Sequence, residues 1–219
     1  MLAGHLVLIN WTLYVWSVNA GHTLDAAMGY FINPLVSALL GVLVLRERLS
    51  PAQWMAFGIG IVAVVVLMVG HSSTPLISLG LAMSFGLYGL VKKVLGVAVK
   101  PAVGLIVETL ATTPLALVYI GWGVAQGKST FTGSYSLLLV SAGILTAVPL
   151  LMFAFAASRI SLTTLGILQY ISPLLQFLVG LFLFGEQMPW QRWVGFSLVW
   201  VAVVMFSAEG LIRLVRRTR

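Results

Sequence analysis

The stretch Phe31–Phe57, FINPLVSALLGVLVLRERLSPAQWMAF, is answered 139 positions later by Tyr170–Phe196, YISPLLQFLVGLFLFGEQMPWQRWVGF. At that offset Pro34 meets Pro173, Gly41 meets Gly180, Glu47 meets Glu186, Trp54 meets Trp193 and Phe57 meets Phe196. The VAVV run at 62–65 then meets VAVV at 201–204. Apolar runs resemble one another by chance. A proline, a glycine, a glutamate and a tryptophan in one ungapped register do not, so the chain reads as an internal duplication.

Composition fixes the solvent. Of the 219 residues 60% are hydrophobic and 8% are charged. Soluble domains carry about a quarter charged residues, so this chain cannot cover a water-facing surface and must face lipid. The net charge of +7 does not point to nucleic acid, because the basic residues sit in short turns and the tail. Zero cysteines exclude disulfides and thiolate metal sites, and His5, His22 and His71 show no ligand spacing. No metal and no cofactor is expected. The amino terminus lacks a basic segment and a cleavage site, so it is not a signal peptide.

A helix needs about 20 apolar residues to cross a bilayer. By that measure the expected spans are 2–18, 24–45, 52–70, 75–95, 101–123, 136–158, 161–184 and 189–208. With the amino terminus inside, the inner loops and tail receive Arg46, Arg48, Lys92, Lys93, Lys100, Arg159, Arg213, Arg216, Arg217 and Arg219. The outer loops receive only Lys128 and Arg192, which satisfies the positive-inside rule with both termini cytoplasmic. The two proline-bearing spans are then the second and the seventh. An odd separation makes the copies antiparallel, an inverted repeat of the kind secondary transporters use.

The fold expected is an all-α membrane protein, eight transmembrane helices forming the remnant of a ten-helix, five-plus-five inverted-repeat transporter. Residues 1–70 would be a three-helix remnant of the first repeat. Residues 71–219 would be a complete second repeat of five helices plus a basic cytoplasmic tail. Counting helices ahead of each proline places two missing spans before Leu2.

The run Asn10–Pro34, NWTLYVWSVNAGHTLDAAMGYFINP, followed by LRERLSPAQW, closely resembles the RarD-type permeases of the EamA family, in the drug/metabolite transporter superfamily. The resemblance implies a bacterial inner-membrane permease built from two inverted EamA repeats and moving small solutes.

Pro34 and Pro173 cannot donate to the carbonyls of Tyr30 and Gln169, so each should kink its helix and free a carbonyl. Paired interruptions in the two halves mark a midplane site, or set helix curvature alone. Asn33, Tyr30, Gln169, Tyr170 and Gln176 lie beside them as candidate substrate contacts, or as interhelical polar contacts. Asn10, Tyr14 and Ser17 share one face of the first span, and Trp11 and Tyr14 would form an aromatic wall. Trp16, Trp54, Trp190 and Trp193 read as interfacial anchors.

Glu108 is a carboxylate well inside a span. It is a candidate coupling group, or a structural carboxyl reaching Lys93 or Lys100. Glu47 and Glu186 read as end-of-helix ion pairs, with Arg46 and Arg48 and near Arg192 respectively. Asp25 reads as an N-terminal cap. No basic residue is expected deep in the membrane.

These features favour a permease working by alternating access. Its partners are the bilayer and a small, neutral-to-amphipathic solute, and a homodimer is compatible with the sequence. The alternatives are a non-transporting fragment, or a channel-like or structural membrane protein. An enzyme is not expected, since no histidine stands mid-span beside a serine and catalytic carboxylates are not paired.

Overall fold

The computed structural model describes residues 1–68, 75–127, 134–172, 175 and 190–217, and those residues form eight α-helices. In chain order they are α1 (Leu2–Asn19), α2 (Thr23–Leu43), α3 (Pro51–Met68), α4 (Pro75–Leu95), α5 (Pro101–Ala125), α6 (Ser134–Ala157), α7 (Leu162–Leu168) and α8 (Trp190–Arg217). There is no strand among the described residues. The chain has an all-α membrane-protein fold.

Five stretches are by themselves long and apolar enough to cross a bilayer, lying in α2, α3, α4, α5 and α6. His5, Asn10 and Asn19 dilute the apolar character of α1. Much of α5 and α6 is exposed, with apolar side chains such as Leu117, Val118, Leu138 and Val140 turned outward. In water such surfaces would drive aggregation. In a bilayer they are the lipid face.

The centre of the bundle is α2, which packs on α4, α7 and α3. Around it α1 lies on α4 and α5, and α3 lies on α8. Small residues set these distances, as expected where lipid offers no hydrophobic drive for helix association. A Cβ on Gly166 of α7 would stand 2.8 Å from the carbonyl oxygen of Pro34 in α2. The small-residue pairs Ser37/Gly41, Ala56/Gly60 and Gly80/Ser84 all fall on packed helices, with Ser37, Ala56 and Ser84 buried. One core cluster joins Phe31, Ala63, Val64, Leu67, Tyr170 and Val199, spanning both copies of the repeat.

Two boundaries differ from expectation. The seventh span is not one continuous helix: α7 stops at Leu168, a turn follows at Gln169–Tyr170, and helix resumes at Ile171. Here Tyr170 N–H donates to Ile167 O at 3.1 Å and Ser172 N–H to Gln169 O at 3.2 Å, both three residues apart. This tighter winding supplies the Gln169 carbonyl with the donor that the nitrogen at position 173 cannot provide. Pro173 itself lies outside the described residues. The last helix, α8, runs on through the basic tail to Arg217 instead of ending near 208. By contrast α2 remains continuous through Pro34, which is fully buried.

The turns where α2 and α6 end and α7 begins meet at one end of the bundle. There Lys93 Nζ donates to Ile160 O at 2.5 Å, and Glu47 reaches the first residues of α7. The C-terminal end of α2 thus abuts the N-terminal end of α7, so the two helices are antiparallel. Arg46, Arg48, Lys92, Lys93 and Arg159 gather here, and we call this the basic end.

Candidate functional site

A cavity of about 1350 Å³ opens between α1, α2, α6 and α7, with Phe85 of α4 contributing to its wall. Its lining is mostly apolar, interrupted by a few polar groups, the usual make-up of a small-molecule site.

Helix α1 supplies the aromatic wall. Trp11 and Tyr14 meet edge-on at 6.2 Å, and Tyr14 meets Tyr30 of α2 edge-on at 5.8 Å. Trp11 and Tyr30 are exposed to the cavity space, and Tyr14 is half-buried. A second aromatic group faces them. Phe85 and Phe153, 5.1 Å apart, line the cavity, and Tyr88 stacks behind Phe153 at 5.7 Å.

Helices α2 and α7 supply the polar floor. The Asn33 side chain donates from Nδ2 to Oε1 of Gln169, and both residues line the cavity. This bond links the two copies of the repeat one residue before Pro34. Asn33 is buried, and its Oδ1 has no protein partner. A buried amide oxygen without a donor is costly in an apolar setting, and a small opening of the Asn33–Gln169 contact would be needed to bring it to the cavity.

The other expected residues distribute unevenly. Asn10 touches the cavity, but its Nδ2 already donates to Leu81 O and Ser84 Oγ, each at 2.9 Å, tying α1 to α4. Ser17 is fully buried and donates to Tyr14 O. Tyr170 points the other way, into the core between α3 and α8, where its hydroxyl finds no partner. It lines a separate water-sized void with Pro34, Thr163 and Gln53. Gln176, Pro173 and Glu186 lie outside the described residues. Thr146, Pro149 and Phe153 of α6 line the cavity without having been singled out by sequence. Apolar helix positions carry no mark that separates a lipid face from a cavity face.

Glu108 is buried in α5 and pairs with Lys92 of α4 at 2.5 Å, not with Lys93 or Lys100. Lys92 is itself buried within the protein, in the last turn of α4 near the basic end. The reason is geometric: Lys92 falls on the inner face of α4, one turn from Tyr88, while Lys93 faces the α6–α7 connection. Neither member of the pair lines the cavity. Glu108 Oε2 remains without a partner.

Glu47 also differs from the expected ion pair with Arg46 and Arg48. Its carboxylate accepts from Leu162 N–H at 2.6 Å, Thr163 N–H at 3.0 Å and Thr163 Oγ1 at 2.7 Å. Two of the orphan amides at the start of α7 are thereby satisfied, and Ser161 Oγ takes the next from Thr164 N–H. Asp25 sits in the first turn of α2, buried and 3.2 Å from His22 Nδ1, where the helix dipole favours it. The N-cap position belongs to His22. Of the expected anchors, Trp16, Trp54, Trp190 and Trp193 are all exposed.

The EamA-like transporter family profile matches residues 2–69. Over the whole chain, protein RarD of Streptomyces exfoliatus is 49% identical, and the match covers 100% of this chain and 69% of that protein. The chain belongs to the EamA family. It is a RarD-type member: protein RarD of Escherichia coli is 43% identical over 96% of this chain and 72% of its own length. An uncharacterized transporter of Bacillus subtilis, YojE, is 44% identical, covering 94% of this chain and 69% of that protein. A solved crystal structure shares the fold at a TM-score of 0.69 and 19% identity, over 96% of this chain and 74% of that one. The EamA chain described here is therefore a multi-pass membrane protein of a transporter family.

Proposed function

We propose that the chain is an inner-membrane permease, not an enzyme, that moves a small solute by alternating access between its two antiparallel repeats. The bond from Asn33 to Gln169 carries this reading: it joins the two proline-bearing segments on the cavity floor and leaves one acceptor open. Inverted repeats that meet at a midplane polar site are the usual plan of secondary transporters. Both termini face the cytoplasm on the distribution of Lys and Arg.

The lining supports a neutral or amphipathic solute with an apolar or aromatic body and a hydrogen-bond donor. The body would lie between Trp11, Tyr14 and Tyr30 on one side and Phe85 and Phe153 on the other. The donor would meet Asn33 Oδ1. The described lining contains no charged side chain to balance a net charge.

Glu108 is the group through which proton coupling would run. Its pairing favours a tie between α4 and α5, because a proton arriving there would strand Lys92 as a buried cation. Transport by Glu108→Gln separates the two roles. Lost pH dependence supports coupling. Unchanged pH dependence with lowered stability supports the tie.

The central test is uptake or counterflow in proteoliposomes, comparing neutral amphipathic solutes with charged ones. Saturable transport that falls about tenfold in Asn33→Ala and in Gln169→Ala is expected, the effect of one lost polar contact. Conductance that does not saturate, or transport indifferent to both substitutions, refutes the proposal and favours a channel.

A further inference from the structure

We infer that Glu47 is a positioning residue for transport: its carboxylate is a latch that holds the α2–α7 seam closed at the basic end. The inference rests on the alternating-access reading and adds the contact that must release for the cavity to open there.

Glu47 belongs to the connection after α2, and Leu162 and Thr163 open α7. The three hydrogen bonds therefore run from one repeat to the other, across 115 and 116 positions of sequence. They attach at the end of the two helices that carry the cavity floor. The other polar contacts described above for this end, Lys93 with Ile160 and Lys92 with Glu108, stay within the second repeat.

The chain is shaped to place this carboxylate. Arg46 sits at φ 54°, a left-handed conformation that only this residue adopts among the described non-glycine residues. The turn brings Glu47 N–H back to Gly41 O at 3.0 Å and lays the side chain over Gly41. A Cβ on Gly41 would stand 2.7 Å from Glu47 Oε2 and 2.9 Å from Thr163 Oγ1. Gly41 is the space the carboxylate occupies. A strained turn and an emptied helix position are costs that an ordinary surface glutamate does not require.

The bonds are charge-assisted, which makes the contact strong. It is also switchable as a unit. If α7 moves away from α2, all three bonds break together, and water can then serve both the carboxylate and the exposed amides. Leu40, Leu45, Leu162 and Leu165 pack together at this end, and Glu47 itself is half-buried.

The absence of cysteine from the chain makes the test direct. A single Thr146→Cys reporter in the cavity wall is labelled with a membrane-impermeant thiol reagent from either face of a vesicle. Val97→Cys, in the exposed α4–α5 connection, identifies the face of the basic end. In the Glu47→Gln background, labelling from the basic face should rise about tenfold and labelling from the other face should fall or hold. That is the shift expected when charge-assisted hydrogen bonds become neutral ones. Thr163→Val, which keeps the amide bonds, should shift labelling the same way by a few-fold. Side-selective labelling unchanged by either substitution overturns the latch. A rise from both faces also overturns it, since that is general loosening. Passage of the impermeant reagent through the protein to the far side of the vesicle, before any change at Glu47, refutes alternating access itself. If Glu47→Gln does not fold, Thr163→Val decides alone.

Discussion

Replacing Lys92 by Met tests whether the Lys92–Glu108 pair holds the fold together. The ammonium and carboxylate are 2.5 Å apart, and each side chain is 5% exposed. Glu108 cannot simply swing to water. A Cβ on Gly4 of α1 would lie 2.9 Å from the Glu108 carbonyl oxygen, so α1 closes over that turn of α5. Its second oxygen is already without a partner. Removing the cation therefore leaves a buried, uncompensated charge, with an expected cost of about 3–5 kcal/mol. For a chain of this size that corresponds to a drop of roughly 6–20 °C in midpoint, at 2–4 °C per kcal/mol. The double replacement Lys92→Met with Glu108→Leu removes both charges and should recover most of the loss. The assay is thermal unfolding in detergent, followed by size-exclusion fluorescence, for the wild type, both single variants and the double. A coupling energy within about 0.5 kcal/mol of zero would refute the reasoning, because the two side chains would then be acting independently.

Gly41→Ala should lower stability by about 1–3 kcal/mol, since the new methyl meets Glu47 and Thr163. In a Glu47→Ala background the same change should cost much less, and thermal unfolding of the wild type, the two single variants and the double reads the difference. Tyr170→Phe should leave stability within about 0.5 kcal/mol and transport unaltered, because the hydroxyl has no partner and faces away from the cavity. Reduced transport with intact folding would return Tyr170 to the solute path. Asn10→Leu should lower the midpoint by a few degrees, since it removes bonds from α1 to Leu81 and Ser84 worth about 0.6 kcal/mol each on average in membranes.

What the sequence disclosed follows from which features are periodic or punctual. The repeat register and the apolar run lengths placed the helices, because bilayer thickness leaves few other lengths. Asn33 and Gln169 were legible because Asn33 directly precedes Pro34 and Gln169 lies about one turn before Pro173, the two prolines being matching positions of the two copies. Lys92 was not legible. In the dipeptide Lys92–Lys93 both residues look like loop charges, and only the phase of α4 against α5 sends one inward. The role of Glu47 was hidden for a different reason. Two of its three donors are backbone amides, of Leu162 and Thr163, and a backbone donor has no residue identity to recognise. Tyr170 and Gln169 are neighbours in sequence, yet the turn after Leu168 points them to opposite sides of α7.

The hydrogen bond from the Asn33 amide to the Gln169 amide also bears on what a permease must refuse. The protein is surrounded by acyl chains at far higher concentration than any solute, and its cavity wall is largely hydrocarbon and aromatic. A lipid tail that wedged the two amides apart would break their bond and offer nothing in return. A solute with a donor and an acceptor could replace what it breaks. On the proposed permease reading, the pair would act as a toll gate set in hydrogen bonds, closed to acyl chains and open to molecules that can exchange partners with it.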